Sequence, residues 1–567
     1  MNINRTINGV LKRVNKEYHE ASECIQCSPD KKIRKAIWTS REDIGNLDVP
    51  GLVQYYDGEK IMLLPFSHTL VTGSTGTGKS EVFYKNQVEI CSMMPESIRP
   101  SIFITDVKGS LHEDLASTLE ERGYKVIVYD MRNAYRTDKY NFLTQIFDQY
   151  TESEKIRKAL ASDTVKRTFD GERFSSVEIA RAAAEAKMCA LIDEVERLIT
   201  EIAFIIVPLQ PNAKEQTWTD GARTMFKAIL WTMLKRSADE KNRMTRDKFT
   251  IANVCRIAFS TGDECDDIIS WLRKAEDILC VQSAITSNYK LHAKATRDGY
   301  ISTLNTCLGE YSARAIAAMT ETTDDINLKE IAKGDKPYAI FIITDDRQKT
   351  TNNICMLFIN NLLNELISTA DSNPTHSLSR DFVILADEFA NMPQLPNISS
   401  KITTLRSRKI WMVMAIQSLQ QLEMVYGSEN TAIIQDNCDI QMFLGCNNDE
   451  TKERFAHSMG KKIGVKTSFN IANDSNISIS KGTEDVPVVR KSDLDALELG
   501  EFYVRSRMSQ NLKTYILPHF MQKKDGDAPG PRKRADFRKF DPNNNVYDIC
   551  KVVRDERPTR RSFDFDF

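Results

Sequence analysis

The sequence predicts an α/β protein: a nucleotide-binding domain built on a parallel sheet and split in the chain by a mostly helical insertion. Three observations carry this. An apolar run, "IMLLPFSHTLVTG", delivers the chain into a glycine-rich loop at residue 73. Far downstream a second apolar run, "FVILADE", ends in two acids at 387 and 388. Between them, from about 150 to 325, strand-like runs give way to helical spacing.

Residues 1–60 read as a polar lead-in that becomes strand-like at "GLVQYY". Residues 61–149 read as the first part of the nucleotide-binding domain, with "IMLLPFSHTLVTG" as a buried strand stopped by glycine. Strands follow at "PSIFITD" and "KVIVYD", with "SLHEDLASTLEERG" as the helix between them, closed by its glycine. Residues 150–325, with "SSVEIARAAAEAKMCALIDEVERLITEIAF" and "WTDGARTMFKAILWTMLKRSADEKNR", are rich in helix formers and form the insertion. The sheet resumes over 326–515 at "YAIFIIT", "DFVILADE", "IWMVMAIQ", "CDIQMFLG" and "ELGEFYVRSR", so the domain is discontinuous in sequence. The polar stretch 465–485 is expected as an exposed hairpin or loop, and 516–567, rich in Pro, Gly, Asn and charge, as a flexible tail.

The bulk composition narrows the class. The 567 residues are 41% apolar and 28% charged, which describes several globular domains. No stretch approaches the roughly 18 to 20 apolar residues needed to cross a bilayer, and the charged start reads as neither signal peptide nor anchor. A formal net charge of -2 excludes a globally basic nucleic-acid face and leaves any such contact local. The 12 cysteines are scattered, as free thiols in a reducing compartment are. Cys24 and Cys27 have CxxC spacing with His19 upstream, but a zinc site needs about four ligands and no second pair follows nearby.

The sharpest chemical signal is "GSTGTGKS", residues 73–80: Gly73, Ser74, Thr75, Gly76, Thr77, Gly78, Lys79 and Ser80. It matches G-x-x-x-x-G-K-[ST] after a strand, where backbone N–H groups and a helix start can cradle phosphate oxygens. Lys79 would reach the β- and γ-phosphates of ATP, and Ser80 would hold Mg2+. At the end of "FVILADE", Asp387 would hold Mg2+ as well, commonly through water, and Glu388 would polarise the attacking water. The plain alternative is a strand ending in solvated charge. "MVMAIQ" ends at Gln417, which either senses the γ-phosphate or merely opens a helix. Arg406, Arg408 and Lys409 form a basic cluster that is either a helix end or, in a ring, an arginine reaching the neighbouring subunit's γ-phosphate. Asp106 and Lys108 either face the nucleotide or end a strand, and Asn141 either contributes to a site or caps a turn.

Taken together, "HTLVTGSTGTGKS", "ITDVKGSLHEDLASTLEERGYKVIVYDMRN", "KYNFL", "FVILADEFANMPQLPNISSKITTLRSRK", "MAIQSLQQLEMVYG" and "NCDIQMFLGCNNDETKERFAHSMGK" resemble the TraG/TraD family of type IV secretion coupling proteins, in order and over most of the chain. The resemblance implies a RecA-like motor domain interrupted by an all-alpha domain that recognises substrate. It implies a hexamer that hydrolyses ATP while passing relaxase-bound DNA, or protein effectors, to a secretion channel. By motif, Lys79 and Ser80 match Walker A, Asp387 and Glu388 match Walker B, Gln417 matches the glutamine of the third motor motif, and Arg408, ahead of Arg406, matches the arginine acting across the subunit boundary. The implied partners are further copies of the chain, a relaxase or relaxosome with DNA, and channel ATPases or a separate membrane anchor. Two features depart from the family. Many members begin with transmembrane helices and this sequence shows none, so the expected location is the cytoplasm or the inner face of the cell membrane. Val107 and Ser110 stand where the family often has proline and an acid. Rival readings are an FtsK- or HerA-like DNA pump and a nucleotide-controlled recruiting adaptor.

Overall fold

The computed structural model describes residues 24–208, 213–260, 265–286, 294–323, 325–344, 349–472, 476–522 and 540–556. Within them, short runs of branched and aromatic apolar residues form one ten-stranded sheet. Its strands are β1 (Ile25–Gln26), β2 (Thr69–Gly73), β3 (Ser101–Thr105), β4 (Lys125–Asp130), β5 (Tyr338–Ile343), β6 (Phe382–Ala386), β7 (Ile410–Ile416), β8 (Ile440–Gly445), β9 (Glu501–Ser506) and β10 (Leu512–Tyr515). Their order across the sheet is β1-β10-β9-β8-β2-β7-β6-β3-β5-β4. From β8 to β5 the neighbours are parallel, while β9 runs antiparallel to both β8 and β10. Every residue of β2, β3, β5 and β6 is buried, as expected for strands covered on both faces. Because the inner strands are parallel, the turns that follow β2, β3, β6, β7 and β8 share one edge, where open α/β sheets bind ligands.

The chain divides into two compact units. The first comprises the described residues of Met1–Val128, Leu328–Thr344 and Asn364–Lys533, and holds most of the sheet. The second comprises those of Tyr129–Asn327, Asp345–Leu363 and Arg534–Phe567.

In the first unit the expected polar lead-in is structured from residue 25 onward. Ile37–Ser40, Gly51–Tyr56 and Lys60–Pro65 form an antiparallel sheet, with Leu52, Val53, Ile61 and Met62 fully buried. The run "IMLLPFSHTLVTG" is therefore two strands in different sheets. Pro65, which has no N–H to offer a ladder, ends the first of them. The expected hairpin is present as Lys461–Ala472 paired with Asn476–Pro487.

The second unit is helical. Its longest helices are Val177–Ile206 and Ala213–Lys235. Ser176 caps the first by accepting from the Ile179 N–H at 3.3 Å, and the run of alanines from 182 to 184 supplies strong helix formers. Cys189 lies exposed on this helix. Trp271, Phe226 and Tyr311 are fully buried, and the buried Arg236 guanidinium lies 5.5 Å over the Trp271 ring and bonds Asp239 at 3.1 Å.

Part of the segment expected as a flexible tail belongs to this unit. Helix Ile549–Glu556 packs against helix Cys265–Leu272, and Tyr547, Ile549, Val552 and Val553 are buried. The Trp271 indole N–H donates to the Tyr547 hydroxyl at 3.3 Å, and Asn253 donates from its amide to the Asn545 carbonyl at 2.9 Å. These few apolar residues at helical spacing sit within a strongly charged stretch, which hides them from a reading by composition. The unit also takes in residues before 150: Asn141 donates to the Phe249 carbonyl at 2.8 Å and to Thr322 at 2.9 Å, while its Oδ1 accepts from the Leu143 N–H at 3.0 Å. Asn141 is thus a turn cap and a tie.

Candidate nucleotide site

The glycine-rich loop leaves β2 between β7 and β8, with Ile416 and Phe443 both in register with Thr72. Its shape requires glycine. At Gly78, φ is +84° and an added Cβ would lie 2.9 Å from both Leu499 and Val82. At Gly73 it would lie 2.7 Å from the Thr77 hydroxyl oxygen. The loop is closed by Thr77, whose N–H and hydroxyl both donate to the Ser74 carbonyl, at 3.2 and 2.8 Å. It is held to β8 by the Ser74 N–H, which donates to the Gly445 carbonyl at 2.8 Å. A helical segment starts at Lys79, passing from a wide turn over Lys79–Tyr84 into the α-helix Lys85–Met93. The buried Lys79 ammonium folds back and donates to the Gly73 carbonyl at 2.6 Å.

The acidic turn stands two strands away, across β7. Ala386 is the last residue of β6. The next residue's ladder groups are taken over by a side chain: the Thr105 hydroxyl accepts from the Asp387 N–H at 2.6 Å and donates to the Asp387 carbonyl at 3.1 Å. Burial first, then the neighbouring Glu388 and Asp106, raise the Asp387 carboxyl against the opposing Lys79, to about 6 in all. Glu388 has φ +54°, a left-handed conformation that costs a residue with a side chain on the order of 1 kcal/mol. Its carboxylate accepts from the Asn391 amide at 2.5 Å.

Gln417 follows β7 directly and lies on the same edge, with its carbonyl accepting from the Cys446 thiol at 3.2 Å. Ser418 caps the helix Leu419–Asn437 that comes next. The structure therefore brings the glycine-rich loop, Asp387, Glu388 and Gln417 to one edge of the sheet. It does not bring Arg408 there. Arg408 precedes β7, so it lies at the opposite edge, roughly 20 Å away at about 3.3 Å per strand residue. There it pairs with Asp371 at 2.7 Å, while Arg406 pairs with Asp439 at 2.7 Å.

Asp106 is buried and accepts from the N–H groups of Gly109 and His112, at 2.8 and 2.9 Å, so it caps the helix Ser110–Glu121 while adding negative charge beside Asp387. Burial pushes the Cys27 thiol up to about 11 and the Cys24 thiol up to about 12, which keeps both protonated in the metal-free protein. His19 lies outside the described residues.

Sequence reasoning missed Thr105, Asn391 and Gln421. Thr105 looks like any β-branched strand residue, and its immediate precedence to Asp106 was the only available hint.

A family model described as type IV secretory system conjugative DNA transfer matches residues 21–486. The chain is 24% identical over 214 residues to the protein VirD4 of Rhizobium radiobacter, a match that spans 35% of this chain and 31% of that relative. Among solved structures it resembles the bacterial conjugative coupling protein TrwB, lacking its first 70 residues and in complex with sulphate, with TM-score 0.56 and 14% identity over 89% of this chain and 98% of the other. The plasmid coupling protein TrwB in complex with ADP and Mg2+ gives TM-score 0.55 and 15% identity, over 89% and 98% of the two chains. A third structure, TrwB with the non-hydrolysable ATP analogue ADPNP, gives TM-score 0.54 and 14% identity, over 90% of this chain and all of the other. The fold is accordingly that of these coupling proteins, a RecA-like P-loop fold.

Proposed function

We propose that this chain, which belongs to the type IV secretory system conjugative DNA transfer family, is an ATP-hydrolysing coupling protein that recruits relaxase-bound DNA and drives or gates its transfer to a secretion channel. The observation that carries the chemical part is the convergence of Lys79, Asp387, Glu388 and Gln417 on one sheet edge. The nucleotide and Mg2+ bound by the structural relatives support it.

The residues suit such a ligand. The lysine ammonium now donates to a neutral carbonyl at 2.6 Å, and a phosphate oxygen is a stronger acceptor for it. Backbone N–H groups of Gly76, Gly78 and Lys79 would complete the phosphate cradle. Ser80 and Asp387 are hard oxygen donors of the kind Mg2+ takes, and the bound ion would neutralise charge on the β- and γ-phosphates. With a cation nearby, the Asp387 carboxyl ionises and its raised proton affinity disappears. Glu388 would hold the attacking water and take its proton, while Gln417 would read the γ-phosphate. Arg408 would act at a neighbouring subunit's nucleotide, since its own lies at the far edge.

Among the described residues no helix is long and apolar enough to cross a membrane. The proposed location is the cytoplasm or the inner face of the cell membrane, where a secretion channel would be met. The helical unit is the proposed docking element for the relaxase complex. A near-neutral chain, net -2, favours as a second reading a protein cargo for the same motor.

The test is the ATPase rate of purified protein with and without single- and double-stranded DNA, recorded with its mass in solution and with Lys79→Ala as control. DNA-stimulated turnover and a six-subunit mass are expected. Assembled protein that hydrolyses no ATP would reject the motor, and turnover indifferent to DNA would favour protein cargo.

A further inference from the structure

The acidic turn and the helix after Gln417 are physically joined. Phe389, Ala390 and Asn391 form a single tight turn, and the Asn391 N–H donates to the Glu388 carbonyl at 2.8 Å. The Asn391 side chain also reaches Glu388, its amide donating to the carboxylate at 2.5 Å. The other end of that amide is taken as well: Gln421 donates from Nε2 to Asn391 Oδ1 at 2.5 Å. A carboxylate can only accept, so the Asn391 N–H2 end must point at Glu388, which leaves Oδ1 as the acceptor for Gln421. Gln421 lies in the first turn of the helix Leu419–Asn437, and its own N–H donates to Ser418, the residue after Gln417. A second link runs in parallel. The Phe389 ring stacks on Tyr426 of the same helix, with centroids 5.6 Å apart and planes 9° from parallel, and the Tyr426 hydroxyl accepts from the Leu395 N–H at 3.2 Å. The turn that carries Glu388 is thus tied by two links to the helix that Gln417 opens.

We infer that Asn391 is a positioning residue for the Glu388 carboxylate, and that Gln421 ties it to the helix following Gln417, so that contact with the γ-phosphate at Gln417 and water activation at Glu388 are set together. The inference rests on the hydrolytic role proposed above for Glu388. Asn391 touches no reacting atom; it fixes where the acid's oxygens lie.

The experiment measures kcat and KM for ATP, with excess Mg2+, on the full chain and on Asn391→Ala and Gln421→Ala, together with binding of a fluorescent ATP analogue. Asn391→Ala should lower kcat about tenfold or more while KM and analogue binding stay within about twofold. Gln421→Ala should lower kcat by about threefold, again without changing KM. Wild-type kcat in Asn391→Ala would overturn the inference, and so would a raised kcat, which would make the contact a brake. Should Asn391→Ala fail to bind the analogue through misfolding, Gln421→Ala decides, because it leaves the Glu388–Asn391 turn itself intact: unchanged kcat there overturns the linkage. A wild-type chain that turns over no ATP overturns the proposed function and this inference together, whereas turnover equal in wild type and variants overturns the inference alone.

Discussion

At the amino edge of the parallel strands, Arg406 and Arg408 each hold a carboxylate at 2.7 Å, on Asp439 and Asp371. At the carboxyl edge, Asp387 and Glu388 stand side by side near Asp106, and the ammonium that acts on Asp387, on Lys79, is bonded to a backbone carbonyl. One edge is balanced by ion pairs, each with one exposed partner. The other keeps like charges together and desolvated, with Asp387 near pH 6 in its titration. The difference separates a site that needs a ligand from a surface ready to trade partners.

The comparison can be broken most sharply at Glu388. Glu388→Gln should lower kcat about a thousandfold while analogue binding persists, as removal of a general base does. A variant with wild-type kcat would leave the carboxyl edge without the general base proposed for it and would favour the recruiting adaptor.

Arg408→Ala tests the opposite edge. Assembled protein should lose about a hundredfold or more in kcat, the effect of removing a charge donor at the transferring phosphoryl group, while a monomer binds the analogue normally. Equal loss of binding in the monomer would contradict an action across subunits.

Asp387 sharpens the electrostatic half. Its folded pKa of about 6 lies above the ordinary 3.8, so the ligand-free native state keeps a proton that the unfolded chain releases between those values. That site's contribution to stability falls as pH rises through the window and stays low above it. Asp387→Asn should therefore stabilise the free protein by up to about 3 kcal/mol at about pH 7.5, and by nothing near pH 3.5, measured by denaturant unfolding. Excess Mg2+ with nucleotide should reverse the advantage, since only wild type binds the ion there.

The smallest effect lies away from both edges. Tyr547→Phe leaves the buried Trp271 N–H without its acceptor and should cost about 1 kcal/mol, read from unfolding of the full chain.

Much of the sheet was legible because its inner strands are short, largely apolar runs bounded by turn residues, as "FVILA" and "IWMVMAI" are. The glycine-rich loop was legible because its positive φ angles leave little choice of residue. What escaped follows from the same logic. The Lys60–Pro65 and Thr69–Gly73 strands read as one, since apolarity does not report which sheet a strand joins. Thr105, Asn391 and Gln421 act through single hydrogen bonds between distant segments, and no periodicity or spacing marks such a bond. The docked helix near the C-terminus buries only a few side chains, so the surrounding charge dominated its composition.

The placement of one cysteine has a practical side. Burial raises the affinity of the thiols of Cys24, Cys27, Cys91, Cys255, Cys355 and Cys438 for their protons, whereas Cys189 stands exposed on the helix Val177–Ile206. Among the described cysteines a maleimide dye added at limiting concentration would attach there first, giving the helical unit an optical reporter in the native sequence.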